Sequence, residues 1–171
     1  SLVRAGLYTV AQILGAMLAA CYVKGEDRYN AYIAAGGGLN AVTEQYMWAG
    51  VFGEFVMTGF LLFVVASVTD KRAASGNVHL PTVGPLMIGM AVMLAHLVLV
   101  PITGCSINPA RSMGTMIIGS DIKIKIDNNG KLGSSWGPVW WVWGAPLLGG
   151  IAGVQIYYWS FHQTRLATAA A

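Results

Sequence analysis

The stretch Pro101-Ile102-Thr103-Gly104-Cys105-Ser106-Ile107-Asn108-Pro109-Ala110-Arg111-Ser112 decides how the rest of the chain is read. Its first part, Pro101 to Ile107, reads as extended backbone. Asn108 is then a good N-cap, and Pro109 suits the first helical position, where its missing N–H would be unpaired anyway. The apolar piece from Asn108 to about Gly119 is roughly 17 Å long at 1.5 Å per residue, about half the hydrocarbon thickness of a bilayer. A piece of that length enters a membrane and cannot cross it. Loop backbone is not tolerated against lipid, so a re-entrant loop with its half-helix is buried in protein or lines a water-filled cavity.

The surroundings agree with a membrane setting. The chain has 171 residues, 56% of them hydrophobic and 10% charged, whereas soluble domains carry about 25% charged residues. A span takes about 20 mostly apolar residues, and four stretches qualify: about 2–23, 48–68, 81–100 and 136–161. Small residues recur in all four, Gly6, Gly15 and Ala16 in the first, and small residues let helix backbones approach closely in lipid. Trp48 and the group Trp136, Trp140, Trp141 and Trp143 sit at span ends, where aromatic belts form. The connections are polar. One carries Gly36-Gly37-Gly38, the next Asp70-Lys71-Arg72, and the last an alternation from Ile122 to Ile126 that suggests a short strand before the turn Asp127-Asn128-Asn129-Gly130.

Several function classes fall away. The net charge is only +3, with no basic run or aromatic-basic stripe, so nucleic acid is not an expected partner. Cys21 and Cys105 lie in or beside apolar stretches and read as thiols. There is no CxxC, HExxH, Cys/His cluster, nucleophile elbow or GxxxxGK loop, so no metal, cofactor or enzymatic reaction is implied. Ser1-Leu2-Val3-Arg4 runs straight into an apolar segment without a basic n-region or small-residue cleavage site, which is not a signal-peptide pattern.

Three ionisable residues, Glu54, His96 and Arg111, fall inside apolar segments, where such residues are costly and are functional candidates by default. Arg111 stands in the first turn of the half-helix, where the positive end of the helix dipole does not stabilise a cation. It therefore needs carbonyl or water partners, either as a guard in a pore or as a structural residue paired with loop carbonyls. His96, alone on an apolar face, reads first as a satisfied core residue. Glu54 reads best as an acceptor for backbone N–H groups that the re-entrant loop leaves free, with a proton relay as the other reading.

As a whole, the quoted stretch resembles the second Asn-Pro-Ala box of the aquaporin, or major intrinsic protein, family, and most of all the plasma-membrane-type aquaporins of plants. Ala11-Gln12-Ile13-Leu14-Gly15-Ala16 resembles the third family helix, Glu54 to Leu62 the fourth, Thr69-Asp70-Lys71-Arg72 the loop after it, and Trp143-Gly144-Ala145-Pro146 the start of the sixth. The resemblance implies an all-α membrane protein, an aquaporin-like right-handed helical bundle with four transmembrane helices and one re-entrant half-helix. Residues 1–171 would form a partial channel domain, the C-terminal two-thirds of a six-span fold of two inverted repeats, without its first two spans and first half-helix.

The resemblance also implies a passive channel that conducts water in single file. The Asn108 amide and the half-helix dipole would orient each water to accept hydrogen bonds, breaking the donor chain for protons, while positive potential opposes H3O+. The box itself is Asn108, Pro109 and Ala110. Three of the four selectivity-filter positions map to His96, Cys105 and Arg111, which reverses the first reading of His96 and makes Cys105 a pore-facing thiol. Gly104 and Ser106 belong to the pore carbonyl loop, and Glu54 and Gln12 to the scaffold. His79 matches a histidine linked to acid gating in the plant subgroup. Met57 and Met116 stand where the family usually has small residues. Water as permeant, the bilayer, a homotetramer and the plasma membrane are implied. The alternatives are a channel that also passes small neutral solutes such as glycerol or hydrogen peroxide, with His96 arguing against glycerol, and a non-conducting structural subunit of a larger membrane assembly.

Overall fold

The computed structural model describes residues 1–25, 36–42, 44–70, 80–119, 124–125, 132–133 and 139–169. Helices α1 (Leu2–Lys24), α2 (Met47–Thr69), α3 (Leu80–Thr103), α4 (Pro109–Ile118) and α5 (Val139–Ala169) make up most of them. Short 3-10 turns at Gly36–Gly38 and Glu44–Tyr46 precede α2. Among the described residues, three helices are long and apolar enough to cross a membrane: α1, α2, and α3 from Thr82 onward. The stretch expected as a fourth span, about 136–161, largely falls in the 31-residue helix α5, which is not one of these three. The suggested strand is short: Ile124–Lys125 pairs antiparallel with Leu132–Gly133. His79, Lys71, Arg72 and Trp136 lie outside the described residues.

One expectation is corrected. Pro101, Ile102 and Thr103 are the last turn of α3 and not extended backbone. A proline that late removes a single intrahelical bond, and the Gly104 N–H still closes the last turn onto Val100 O at 3.2 Å. The non-helical loop is thereby shortened to Gly104–Asn108, and it turns sharply: Gly104, Cys105 and Ile107 all have positive φ, at 76°, 55° and 41°. Only the first of these is glycine, so the other two hold a conformation that L-residues adopt at a cost.

Helix α2 is the centre of the packing, between α3 and α5. Against α5 the approach is backbone to backbone. A Cβ on Gly149 would overlap the Phe55 carbonyl, and one on Gly153 would overlap the Gly59 carbonyl. This is the small-residue spacing that substitutes close packing for the hydrophobic drive missing in lipid. Farther along the same pair, Tyr157 is buried and donates to Asp70 Oδ2 at 3.0 Å, with its ring edge-on to Phe63. Helix α1 packs chiefly on the half-helix α4, where Gly114 meets Ile13 and Ala16. Elsewhere α1 is open, with Ala20 its only buried residue. Two small buried clusters flank α2: Val42 with Trp141 and Val142, and Ala95 with Leu99 and Cys105.

Candidate functional site

The half-helix forms where the sequence places it. Asn108 is the N-cap, and its Oδ1 accepts from Ala110 N at 3.0 Å and Arg111 N at 3.4 Å, with Pro109 at the first position. These two bonds use the oxygen of the side-chain amide, so its nitrogen must face elsewhere. It donates to Gln12 Oε1 on α1 at 3.0 Å. Gln12 therefore fixes which way the Asn108 amide points. At the far end of α4, Lys24 Nζ donates to Ile118 O at 3.2 Å, placing a cation at the negative end of the helix dipole.

Glu54 is fully buried on α2 and accepts from three donors. Thr103 Oγ1 and Ser106 N reach Oε1 at 2.6 and 2.7 Å, and Ile107 N reaches Oε2 at 2.9 Å. The reading of Glu54 as acceptor for the loop's free N–H groups is what these distances describe. Of the other loop donors, Cys105 N goes to Thr103 Oγ1 at 3.1 Å and Asn108 N to Ser106 O. The three bonds on one carboxylate are charge-assisted and hold a backbone that no helix or sheet ladder satisfies.

Arg111 has the carbonyl partner its position requires. Its Nη1 donates to Gly38 O at 2.9 Å and to Asn40 Oδ1 at 3.1 Å. Both acceptors come from the 36–42 segment, which sequence reasoning treated only as a connection. Asn40 was missed altogether, although it is 1% exposed and joins three elements. A buried Asn beside a glycine run was its only available signal.

A cavity of about 840 Å³ lies between α1, α2, α3, α4 and α5. It brings together Gln12, His96, Ser106, Asn108, Pro109 and Arg111, on walls that are otherwise mostly aliphatic side chains of α2 and α5. His96 is exposed on this wall, so it is not a core residue. Its Nδ1 lies 2.8 Å from Val92 O. A carbonyl can only accept, so that nitrogen carries the proton and Nε2 of the neutral ring is left as an acceptor. Thr58 also lines the cavity, and its Oγ1 is buried with no hydrogen-bond partner among the described residues.

Cys105 does not join this group. Its side chain has no exposure and packs between Ala95 and Leu99, with Met57 and Ile107 around it. The expected pore-facing thiol is thus corrected: the positive φ at Cys105 turns the side chain into the cluster behind the loop. Gly104 and Ala110 are likewise not on the cavity wall, whereas Ser106 is. Met57 fills the space beside Cys105, and Met116 is fully buried.

Residues 1–157 match the family model described as major intrinsic protein. Aquaporin PIP2-7 of Musa acuminata is 37% identical over 171 residues, covering 99% of this chain and 55% of the relative. Aquaporin PIP2-4 of Zea mays is 39% identical over 151 residues, covering 87% and 48%, and aquaporin PIP1-5 of the same plant is 40% identical over 150 residues, again covering 87% and 48%. The chain spans about half the length of the curated relatives it matches.

Proposed function

The chain belongs to the major intrinsic protein family and is an integral, multi-pass membrane protein, and from that premise we propose that its cavity conducts water passively across the bilayer. The observation that carries this reading is the convergence on one cavity wall of Asn108, the half-helix start it caps, Arg111 and His96. Donors dominate the α4 side: the Asn108 amide, the Arg111 guanidinium and the positive end of the helix dipole. Water arriving there accepts hydrogen bonds on its oxygen and points its own protons outward in both directions, which interrupts proton hopping, and the same charges oppose cations. His96 Nε2 accepts a hydrogen bond from the passing water.

In this reading His96 and Arg111 act as filter residues and Asn108, Pro109 and Ala110 as the box that turns the water. Ser106 belongs to the loop lining, with Gly104 in the same loop off the wall and Cys105 behind it. Glu54 and Gln12 are scaffold, and His79 is the candidate acid gate. Single-file passage, proton exclusion, a homotetramer and a plasma-membrane location are parts of the same proposal. No chemical step and no cofactor is involved.

The test is stopped-flow light scattering of proteoliposomes containing the chain. Osmotic shrinkage faster than in empty vesicles, with little glycerol or hydrogen peroxide entry, is the expected result. Fast entry of either solute would instead establish the broader channel. Shrinkage no faster than in empty vesicles would refute conduction by this chain. Permeability that stays flat between about pH 5 and pH 8 would remove His79 as a gate.

A further inference from the structure

We propose that Asn40 is a positioning residue for Arg111 and thereby sets the cation and solute barrier of the cavity; this rests on the water-channel reading of the same site. The case begins with what Asn40 can bond. Its Nδ2 donates to Thr103 O at 3.1 Å, and its Oδ1 accepts from Arg111 Nη1 at 3.1 Å and Ser112 Oγ at 2.6 Å. The amide orientation is forced. Reversing it would set N–H against the arginine donor and an oxygen against the Thr103 carbonyl.

The surrounding hydroxyls then fall into one order. Ser112 gives its proton to Asn40, so in the 2.8 Å contact between Ser106 and Ser112 it is Ser106 that donates. Thr103 in turn gives its hydroxyl proton to Glu54, which holds the loop. The Ala41 N–H also donates to Thr103 O, at 3.1 Å, so Asn40 cannot shift without breaking a backbone bond beside it. Asn40 thus ties the 36–42 segment to the end of α3 and to the first turn of α4.

The consequence for Arg111 is geometric. A guanidinium is a rigid planar fork, so holding one corner orients the rest. Among the described residues both of its side-chain bonds come from Nη1, to Gly38 O and Asn40 Oδ1. Nη2 and Nε are left to the cavity that Arg111 lines. Gly38 O alone supplies one acceptor and permits rotation about that bond. Asn40 supplies the second acceptor, which removes the rotation. Asn40 itself is not on the cavity wall, so it acts only through Arg111.

The experiment combines solid-state ¹⁵N NMR of the Arg111 side chain in lipid with permeability measurements. In the wild type, Nη1 and Nη2 give two distinct signals. Asn40→Ala merges or broadens them and raises the ratio of glycerol to water permeability about tenfold, the least that a lost charge-assisted hydrogen bond is worth. Asn40→Asp keeps the acceptor contacts to Arg111 and Ser112, exchanges the donor bond to Thr103 O for a contact between two acceptors, and adds a negative charge beside Nη1. Its two signals stay distinct, while its ratio of cation to water permeability rises about tenfold or more as the positive potential is cancelled. A residue that served only the fold would change water, solute and ion fluxes together.

A single averaged Nη signal in the wild type overturns the proposal, whether or not any variant folds. So does Asn40→Ala with unchanged signals and an unchanged permeability ratio, or Asn40→Asp with no rise in its ratio of cation to water permeability. A wild type that passes no water, yet shows two Nη signals that merge in Asn40→Ala, would refute the water-channel reading and leave the positioning of Arg111 standing.

Discussion

Replacing Glu54 with glutamine tests the support of the loop with a change of one atom. Glutamine can present its oxygen where Oε1 stands, so Thr103 Oγ1–H and Ser106 N–H keep an acceptor. Those two bonds lose charge assistance, at about 1 kcal/mol each. The amide nitrogen then takes the place of Oε2 and meets the Ile107 N–H donor to donor. Leaving that buried N–H unpaired costs about 1–3 kcal/mol. Removing a charge from a site with no solvent exposure relieves some desolvation in the other direction. The net expectation is a loss of about 2–4 kcal/mol, or roughly 5–15 °C in melting temperature for a domain of this size. Thermal unfolding in lipid nanodiscs, followed by tryptophan fluorescence, reads the shift. Hydrogen exchange at Ile107 and Ser106 locates it, with faster exchange at Ile107. A Glu54→Gln protein that melts at or above the wild-type temperature, with Ile107 still protected, would refute the account of Glu54 as the loop's anchor and would favour its reading as a proton relay.

The other expectations concern packing and exposure. Gly153→Val should destabilise the protein by at least about 3 kcal/mol in the same melting assay, because its Cβ overlaps the Gly59 backbone, which cannot move aside as a side chain would. Gly144→Ala, where a Cβ meets nothing within 4 Å, should be neutral or stabilising by about 0.5 kcal/mol. A membrane-permeant maleimide should reach Cys105 only after denaturation, since its side chain is buried; peptide mapping by mass spectrometry reads the labelling. Rapid labelling of Cys105 in the native state would restore its pore-facing position.

The membrane helices and the half-helix were legible because their signals are local. Length and apolar composition mark a span, and the Asn108-Pro109 pair marks a helix start wherever it falls. Glu54 was legible for a related reason: a carboxylate in an apolar run needs donors, and the re-entrant loop had donors to spare. Asn40 and Lys24 were not, because their roles depend on bonds to residues far along the chain, 71 positions for Asn40 to Arg111 and 94 for Lys24 to Ile118. Polar residues in a polar connection give no hint of such partners. Cys105 was misjudged because its side-chain direction follows from a left-handed backbone that only the folded loop reveals. The extent of α3 was misjudged because Pro101 reads as a break, although near a helix end it removes little.

The bonds from Glu54 to Ser106 and Ile107 also give the molecule an order of assembly. The acceptor precedes its first backbone donor by 52 residues, a lead of roughly 3–10 s at ribosomal rates of about 5–20 residues per second. When Gly104–Asn108 is synthesised, the carboxylate is already seated on a completed α2, and the loop's bare N–H groups have a partner waiting. Chain order therefore shields the most lipid-intolerant backbone in the protein.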